Sequence, residues 1–380
     1  MDKFINKLNR IQKTLSCRQP DRIPVFELFW DKFIEKWKIE KNLPQDCDIY
    51  KYYDMDLAFA VPLTDPKINS LKIIEKNDKH TVFKSGYGCI VKKVHDIPMP
   101  QFLEFEIKNA SEYEKYIFDD PNIKQRYEEK FYSITANAGD MLVDSFIDQV
   151  GNYKNNIPVC GAVCEAYEKI WRIRGNEGLW LDLITDRPKV KKFVKRIEEF
   201  ETAIGIKQIE LGIDVMFIAG DVAYDRGLFF SPQIWREVFM PTLKNMCSAF
   251  KTAKPDIRII YHGCGNALEI FDELIECGID AYHSLEVKAG IDVVELKRKY
   301  KDRLAFVGNI DVRDVLTSSR EKIKDSVMRK LNAAKGGGFI PSADHSIPSN
   351  IPVENYEYFL EIIREYGKYP LELKEYDLKL

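Results

Sequence analysis

Short runs rich in β-branched and aromatic residues alternate with longer runs of helical periodicity along most of this chain, and few folds accept that order. Eight runs read as strands: 23–27, 57–60, 157–161, 215–219, 257–262, 281–285, 304–307 and 338–342. The later ones follow a helix and a turn signal, as in Glu276-Cys277-Gly278-Ile279-Asp280. Helix starts are equally marked. Thr185-Asp186-Arg187-Pro188 and Ser231-Pro232-Gln233-Ile234-Trp235 each place a capping residue before a first-turn proline. The alternation breaks between the second and third runs. Residues 71–105 alternate like antiparallel strands around Gly86-Tyr87-Gly88, and 111–140 read as helical. The pattern predicts one (β/α)8 TIM barrel over 1–380, with a β-hairpin and helical insertion after strand two.

Composition removes other classes. The 380 residues carry a net charge of -3 with both signs interspersed, so no nucleic-acid footprint is expected. The longest apolar runs, such as 57–63, fall far below the roughly 20 residues of a spanning helix. Met1-Asp2-Lys3-Phe4-Ile5-Asn6-Lys7 has no apolar signal core, and a cytoplasmic location is expected. Eight cysteines are too sparse for a disulfide scaffold.

Barrel enzymes build their sites from the loops after the strands, so the residues at the strand ends are the candidates. Strand one ends in Glu27, strand three runs into Cys164-Glu165, and strand four into Gly220-Asp221 with Asp225 beyond. Strand five ends in His262-Gly263-Cys264-Gly265-Asn266. Strand six ends in Glu286, strand seven in Asn309-Ile310-Asp311 and strand eight in Asp344-His345. Asp221, Glu286 and Asp311 are candidate acid/base or orienting groups. Glu27, Glu165, Asp225, Asn309 and Asp344 are candidate substrate contacts. Each has a plainer reading, as a helix-start carboxylate or a turn-holding side chain. His262 and Cys264 are two apart at a strand end and share a face, so both reach one ion. Imidazole and thiolate suit zinc, which in catalytic sites takes about three protein ligands. His345 or Asp344 supplies the third ligand, with Glu286 in reserve. The competing reading is a histidine acting as acid or base beside a cysteine that only packs.

Several stretches, in order, resemble the uroporphyrinogen decarboxylase superfamily. They are Asp21-Arg22-Ile23-Pro24-Val25, Thr185-Asp186-Arg187-Pro188, Gly220-Asp221-Val222-Ala223-Tyr224 with Phe230-Ser231-Pro232, Tyr261-His262-Gly263-Cys264-Gly265-Asn266, Val307-Gly308-Asn309-Ile310-Asp311, and 340–348 with Glu354-Asn355-Tyr356. The resemblance implies a (β/α)8 barrel with one of two activities. One arm decarboxylates a tetrapyrrole acid and uses an arginine motif after strand one. Here that position reads Phe26-Glu27-Leu28-Phe29-Trp30-Asp31, with no arginine. The other arm is zinc-dependent methyltransferases that work with corrinoid proteins, holding zinc on an H-x-C pair after strand five and a cysteine after strand eight. His262 and Cys264 match that pair; Asp344-His345 stands where the last cysteine would be.

The resemblance therefore implies methyl transfer between a corrinoid protein and a small acceptor, a thiol or another methyl acceptor, with zinc on His262, Cys264 and His345. The methylcobalamin would arrive on a partner protein, because the D-x-H-x-x-G pattern begun by Asp78-Lys79-His80 ends in Phe83. The alternatives are a tetrapyrrole-acid decarboxylase and a non-catalytic barrel that binds a corrinoid or tetrapyrrole.

Overall fold

Strands of a parallel barrel are covered on both faces, so their sequences are apolar throughout rather than alternating. The computed structural model, which describes residues 2–95, 97, 99–132 and 142–379, shows this pattern at work. In chain order the strands are β1 (Ala58–Phe59), β2 (Lys72–Lys76), β3 (His80–Lys84), β4 (Ile90–Val94), β5 (Gln101–Glu104), β6 (Phe131–Tyr132), β7 (Leu142–Val143) and β8 (Val159–Cys164). There follow β9 (Val215–Ala219), β10 (Ala223–Tyr224), β11 (Gly227–Leu228), β12 (Arg258–Gly263), β13 (Ala281–Ser284), β14 (Ala305–Ile310) and β15 (Phe339–Ala343). Seven of them form one curled parallel sheet in the order β1-β8-β9-β12-β13-β14-β15, in a TIM-barrel arrangement. Among the described residues, no helix is long and apolar enough to cross a membrane.

Residues 23–27, expected as the first barrel strand, take the eighth place without forming a ladder. Pro24 has no N–H to give. The Val25 N–H donates instead to the Asp56 carboxylate at 2.7 Å, while Asp56 N donates to Val25 O at 2.8 Å. On the other side, Ala343 N of β15 donates to Glu27 Oε2 at 2.9 Å, and Ile347 N donates to Leu28 O at 2.8 Å. Two side-chain carboxylates thus close the barrel. Asp56 is fully buried and also accepts from Arg10 at 2.6 Å and from Arg22 at 2.7 and 2.9 Å.

The interior is filled in the usual way. Leu57, Cys160, Ala162, Val215, Phe217, Ile260, Ala281, Ala305, Val307 and Ile340 pack as one buried cluster. Ile11 and Leu15 join it from the helix Asp2–Leu15, which stops the N-terminal end of the barrel. The outward residues of the same strands, such as Ile259, Tyr261 and Tyr282, pack against the helices. Ser231 caps its helix by accepting from Ile234 N, and Gly278 ends another in the left-handed region at φ 96°.

The insertion is larger than a hairpin. β2, β3, β4 and β5 form a four-stranded antiparallel sheet, with Gly86-Tyr87-Gly88 in the turn between β3 and β4. The outer strands β2 and β5 are almost wholly exposed, so burial left no period-2 signal in them. The helical run expected over 111–140 is a 3-10 segment Ala110–Lys115, a short helix Gln125–Glu128 and the strand β6. Residues 133–140 of that expectation lie outside the described residues.

Removing the Asp56 carboxylate leaves two arginines and a backbone N–H without their shared acceptor. Asp56→Ala is expected to lower the unfolding free energy by about 3–5 kcal/mol, seen as a lower urea midpoint. Glu27 gives a pH signature. Burial pushes its carboxyl up to about 8, against two backbone N–H donors that pull it down. An unfolded Glu titrates near ~4.3, so between these values the native chain holds a proton that the unfolded chain has released. Stability from this group is full below the lower value and declines as pH rises toward the upper one. Urea midpoints of the wild type should therefore fall more steeply between pH 5 and 8 than those of Glu27→Gln; parallel curves would disprove the assignment.

Candidate functional site

β12 carries the pattern Ile260-Tyr261-His262-Gly263. Ile260 points into the barrel, so His262, two residues on, points the same way one layer higher. β13 repeats the pattern as Ala281-Tyr282-His283. The parallel register pairs His262 with His283. Their Nδ1 atoms lie 2.7 Å apart. Phe217 of β9 stacks on His262 at 5.3 Å and lies 5.6 Å from the His283 ring.

At its other edge, His262 Nε2 lies 3.8 Å from Cys264 Sγ and 3.6 Å from Asp221 Oδ1. Asp221 Oδ1 also accepts from Cys264 N at 2.8 Å. One ligand atom from each of Asp221, His262 and Cys264 falls within 4.8 Å of the others, the spacing of a metal-holding group. The Asp221 side chain is 40% exposed, so the group opens to solvent at the mouth. Gly220 is required beneath it, because a Cβ there would meet Tyr261 Oη at 2.2 Å and Glu165 Cγ at 2.5 Å.

The electrostatics favour a cation. Burial, aided by His345, lowers the His262 pKa against the pull of Asp221 and Glu286, so the ring is neutral and its lone pair free. Burial pushes the Cys264 thiol well up, and Asp221, Glu286 and Glu168 push it further. Cys264 is thus a protonated thiol among carboxylates until a positive charge joins it.

The remaining strand-end residues divide by what their polar atoms touch. Glu286 accepts from Gly265 N at 2.7 Å and pairs with Lys288 at 3.2 Å, which holds the loop that carries Cys264. Asn309 is fully buried. It donates to Leu285 O and Ile291 O at 2.7 and 2.9 Å and accepts from Val293 N at 3.1 Å. Asp344 accepts from Val287 N and Val312 N at 2.9 and 3.0 Å. Asp311 accepts from Arg313 N and Asp314 N at 2.7 and 3.1 Å. These three hold βα loops in place. Glu27 belongs to the barrel seam, and Asp225 is exposed beside the β10–β11 turn. Glu165 caps the helix Ala166–Arg174 through one oxygen, at 2.9 Å from Glu168 N. Its other oxygen is buried with no partner among the described residues, and burial pushes the carboxyl up to about 8. His345 lies flat on Trp30 at 5.7 Å and is not one of the three grouped residues.

Sequence reasoning passed over His283 and the buried cations behind the mouth. Lys169 pairs with Glu201 at 3.1 Å, both side chains wholly buried, and donates to Thr64 O at 2.7 Å. Arg172 pairs with Glu168 at 3.0 Å. Nothing in the sequence marks those helix positions. His283 did leave a signal: the Tyr-His pair recurs at the same place in neighbouring strands.

The family model described as Uroporphyrinogen decarboxylase (URO-D) matches residues 145–366, more than half of the chain and all three grouped residues. The uroporphyrinogen decarboxylase of Chlorobium limicola is 28% identical over 174 residues, 45% of this chain and 47% of that protein. That of Chloroherpeton thalassium is 28% identical over 196 residues, 50% of this chain and 52% of that one. The chain thus spans about half the length of the curated relatives it matches. Among solved structures, a methyltransferase from Methanosarcina mazei shares the fold, with a TM-score of 0.66 at 15% identity over 94% of this chain and 98% of that one. By the extent of the family match, the chain belongs to the uroporphyrinogen decarboxylase family.

Proposed function

We propose that this chain is a cytoplasmic, zinc-dependent methyltransferase that moves a methyl group between a corrinoid protein and a small acceptor. The observation that carries this reading is the convergence of His262 Nε2, Cys264 Sγ and an Asp221 oxygen at the open end of the barrel. The donor set fits zinc: a neutral imidazole, a thiol that awaits a cation and a carboxylate, with one side open to solvent. Asp221 comes from the loop after β9 and falls within 4.8 Å of the pair, in a group that does not include His345, the strand-eight residue expected as the third ligand. Bound there, zinc would supply the charge that keeps a thiol acceptor deprotonated near neutral pH.

The chain's own groups set the conditions for that chemistry. Asp221 fixes the Cys264 backbone through its N–H, and Glu286 fixes Gly265, so the loop bearing the thiol is anchored at two successive residues. His345 stacks on Trp30 at 5.7 Å and is close enough to act electrostatically on His262. The segment after strand one carries no arginine, and Asp221 and Glu286 stand beside the Cys264 loop, while burial holds the Glu27 and Glu165 carboxyls toward their protonated forms. Like charges in a cleft repel, so a substrate with many carboxylates is a poor guest. A corrinoid protein docking over the mouth suits the open side of the group. The shared barrel of the Methanosarcina mazei methyltransferase is in keeping with this reading.

Metal content tests the site first. Zinc-reconstituted wild type should hold about one ion per chain. Cys264→Ala and Asp221→Ala should lose it, and His345→Ala should keep it. Loss in His345→Ala with retention in Asp221→Ala would move the third ligand to the strand-eight loop. Activity tests the reaction. The zinc form should demethylate methylcobalamin in the presence of a thiol, and Cys264→Ala should lose at least about a hundredfold in rate, roughly 2.7 kcal/mol at ~1.36 kcal/mol per tenfold. Turnover of uroporphyrinogen without methyl transfer would instead favour the decarboxylase reading. Ligand-linked stabilisation by a corrinoid without turnover would favour a carrier.

A further inference from the structure

We infer that His283 is a positioning residue: it accepts the Nδ1–H of His262 and leaves His262 Nε2 bare toward Cys264 and Asp221. The inference rests on the metal site proposed above. Its foundation is geometric. Two imidazole Nδ1 atoms 2.7 Å apart must share one hydrogen, because two N–H groups at that distance would collide and two lone pairs would repel. Neither ring is free to turn away. They are register partners on adjacent strands, His283 is 2% exposed, and Phe217 packs against both.

The far edge of His262 decides which ring donates. Cys264 Sγ lies 3.8 Å from Nε2, within reach of a thiol donor. Asp221 Oδ1, at 3.6 Å, is beyond good hydrogen-bond length for a ring N–H and already accepts from Cys264 N. A bare Nε2 gives the thiol an acceptor beside Asp221, which is also its hydrogen-bond partner, and it is the only form that can bind a metal ion at that edge. The Nδ1 hydrogen then belongs to His262, and His283 is the acceptor with its own hydrogen on Nε2. Ligating histidines usually hand their second N–H to a carboxylate, a carbonyl or water. Here a second histidine, contributed by the neighbouring strand, takes that place.

Two measurements test this. The first needs neither metal nor mutation. The chain has five histidines, so selective ¹⁵N-histidine labelling gives few ring signals to assign. In the metal-free wild type, His262 should be the Nδ1–H tautomer and His283 the Nε2–H tautomer; the reverse pair would overturn the inference. The second is zinc affinity by chelator competition. His283→Leu should weaken binding by about ten- to a hundredfold. His283→Asn carries an amide oxygen on Cγ, where imidazole carries Nδ1, and should recover most of that loss. Leu and Asn variants that both bind as wild type would also overturn it. Equal loss in both, with thermal midpoints unchanged, would do the same, because a packing role gains nothing from the amide. If the wild type binds no zinc, the metal reading of the site fails, while the tautomer measurement still decides the role of His283.

Discussion

Everything at the mouth of this barrel depends on two buried carboxylates at its seam. A parallel barrel needs each strand bonded to both neighbours, and the segment at 23–27 cannot meet that need through its backbone alone. Asp56 and Glu27 make up the difference, one toward β1 and one toward β15. Their settings differ. Asp56 sits between Arg10 and Arg22, paired with both. Among the described residues, Glu27 accepts from two backbone N–H groups, and burial favours its proton. The seam therefore combines a salt-bridged half with a half whose protonation follows pH. Both halves must hold for the strand-one and strand-eight loops, with Trp30 and His345, to face the site.

The same device recurs around the rim. Asn309, Asp311 and Asp344 each spend their side-chain atoms on backbone groups of βα loops. Such residues are hard to tell from catalytic ones by sequence. Both kinds are polar, both stand at strand ends, and both sit beside glycines. The distinction lies in where the side-chain atoms end up. That depends on the course of loops tens of residues away, as with Asp344 reaching Val287 and Val312.

How much was legible follows from which signals are local. The barrel strands from β8 onward were readable because burial on both faces leaves continuous apolar runs bounded by turns. The first segment was readable as extended, yet its pairing was not, since the seam is made by side chains distant in sequence. The insertion was readable as antiparallel from its turn at 86–88, while its strand number was hidden by exposed outer strands. His262 and Cys264 were readable because strand geometry fixes the relation of residues two apart. Asp221 was visible as a strand-end carboxylate, but its approach to that pair is a matter of how β9 lies beside β12. His283 is the clearest case: 21 residues from His262 in sequence, it becomes its partner only through register.

Charge around Cys264 links these features to the proposed chemistry. A thiol buried next to carboxylates holds its proton, because burial and those neighbours both disfavour a thiolate there. Lys288 is already engaged by Glu286, and Arg172 and Lys169 by their own carboxylates. Among the described residues, these pairings leave the cluster of Asp221, His262 and Cys264 without a dedicated lysine or arginine of its own. A divalent cation resolves this more completely than a proton does. It would neutralise Asp221 and the thiolate together and use the lone pair that the neutral His262 presents. Metal uptake by such a set must release the thiol proton, so affinity and protonation are coupled from the start. On this view the acidic mouth disfavours a polyanionic guest and favours a cation for one and the same reason.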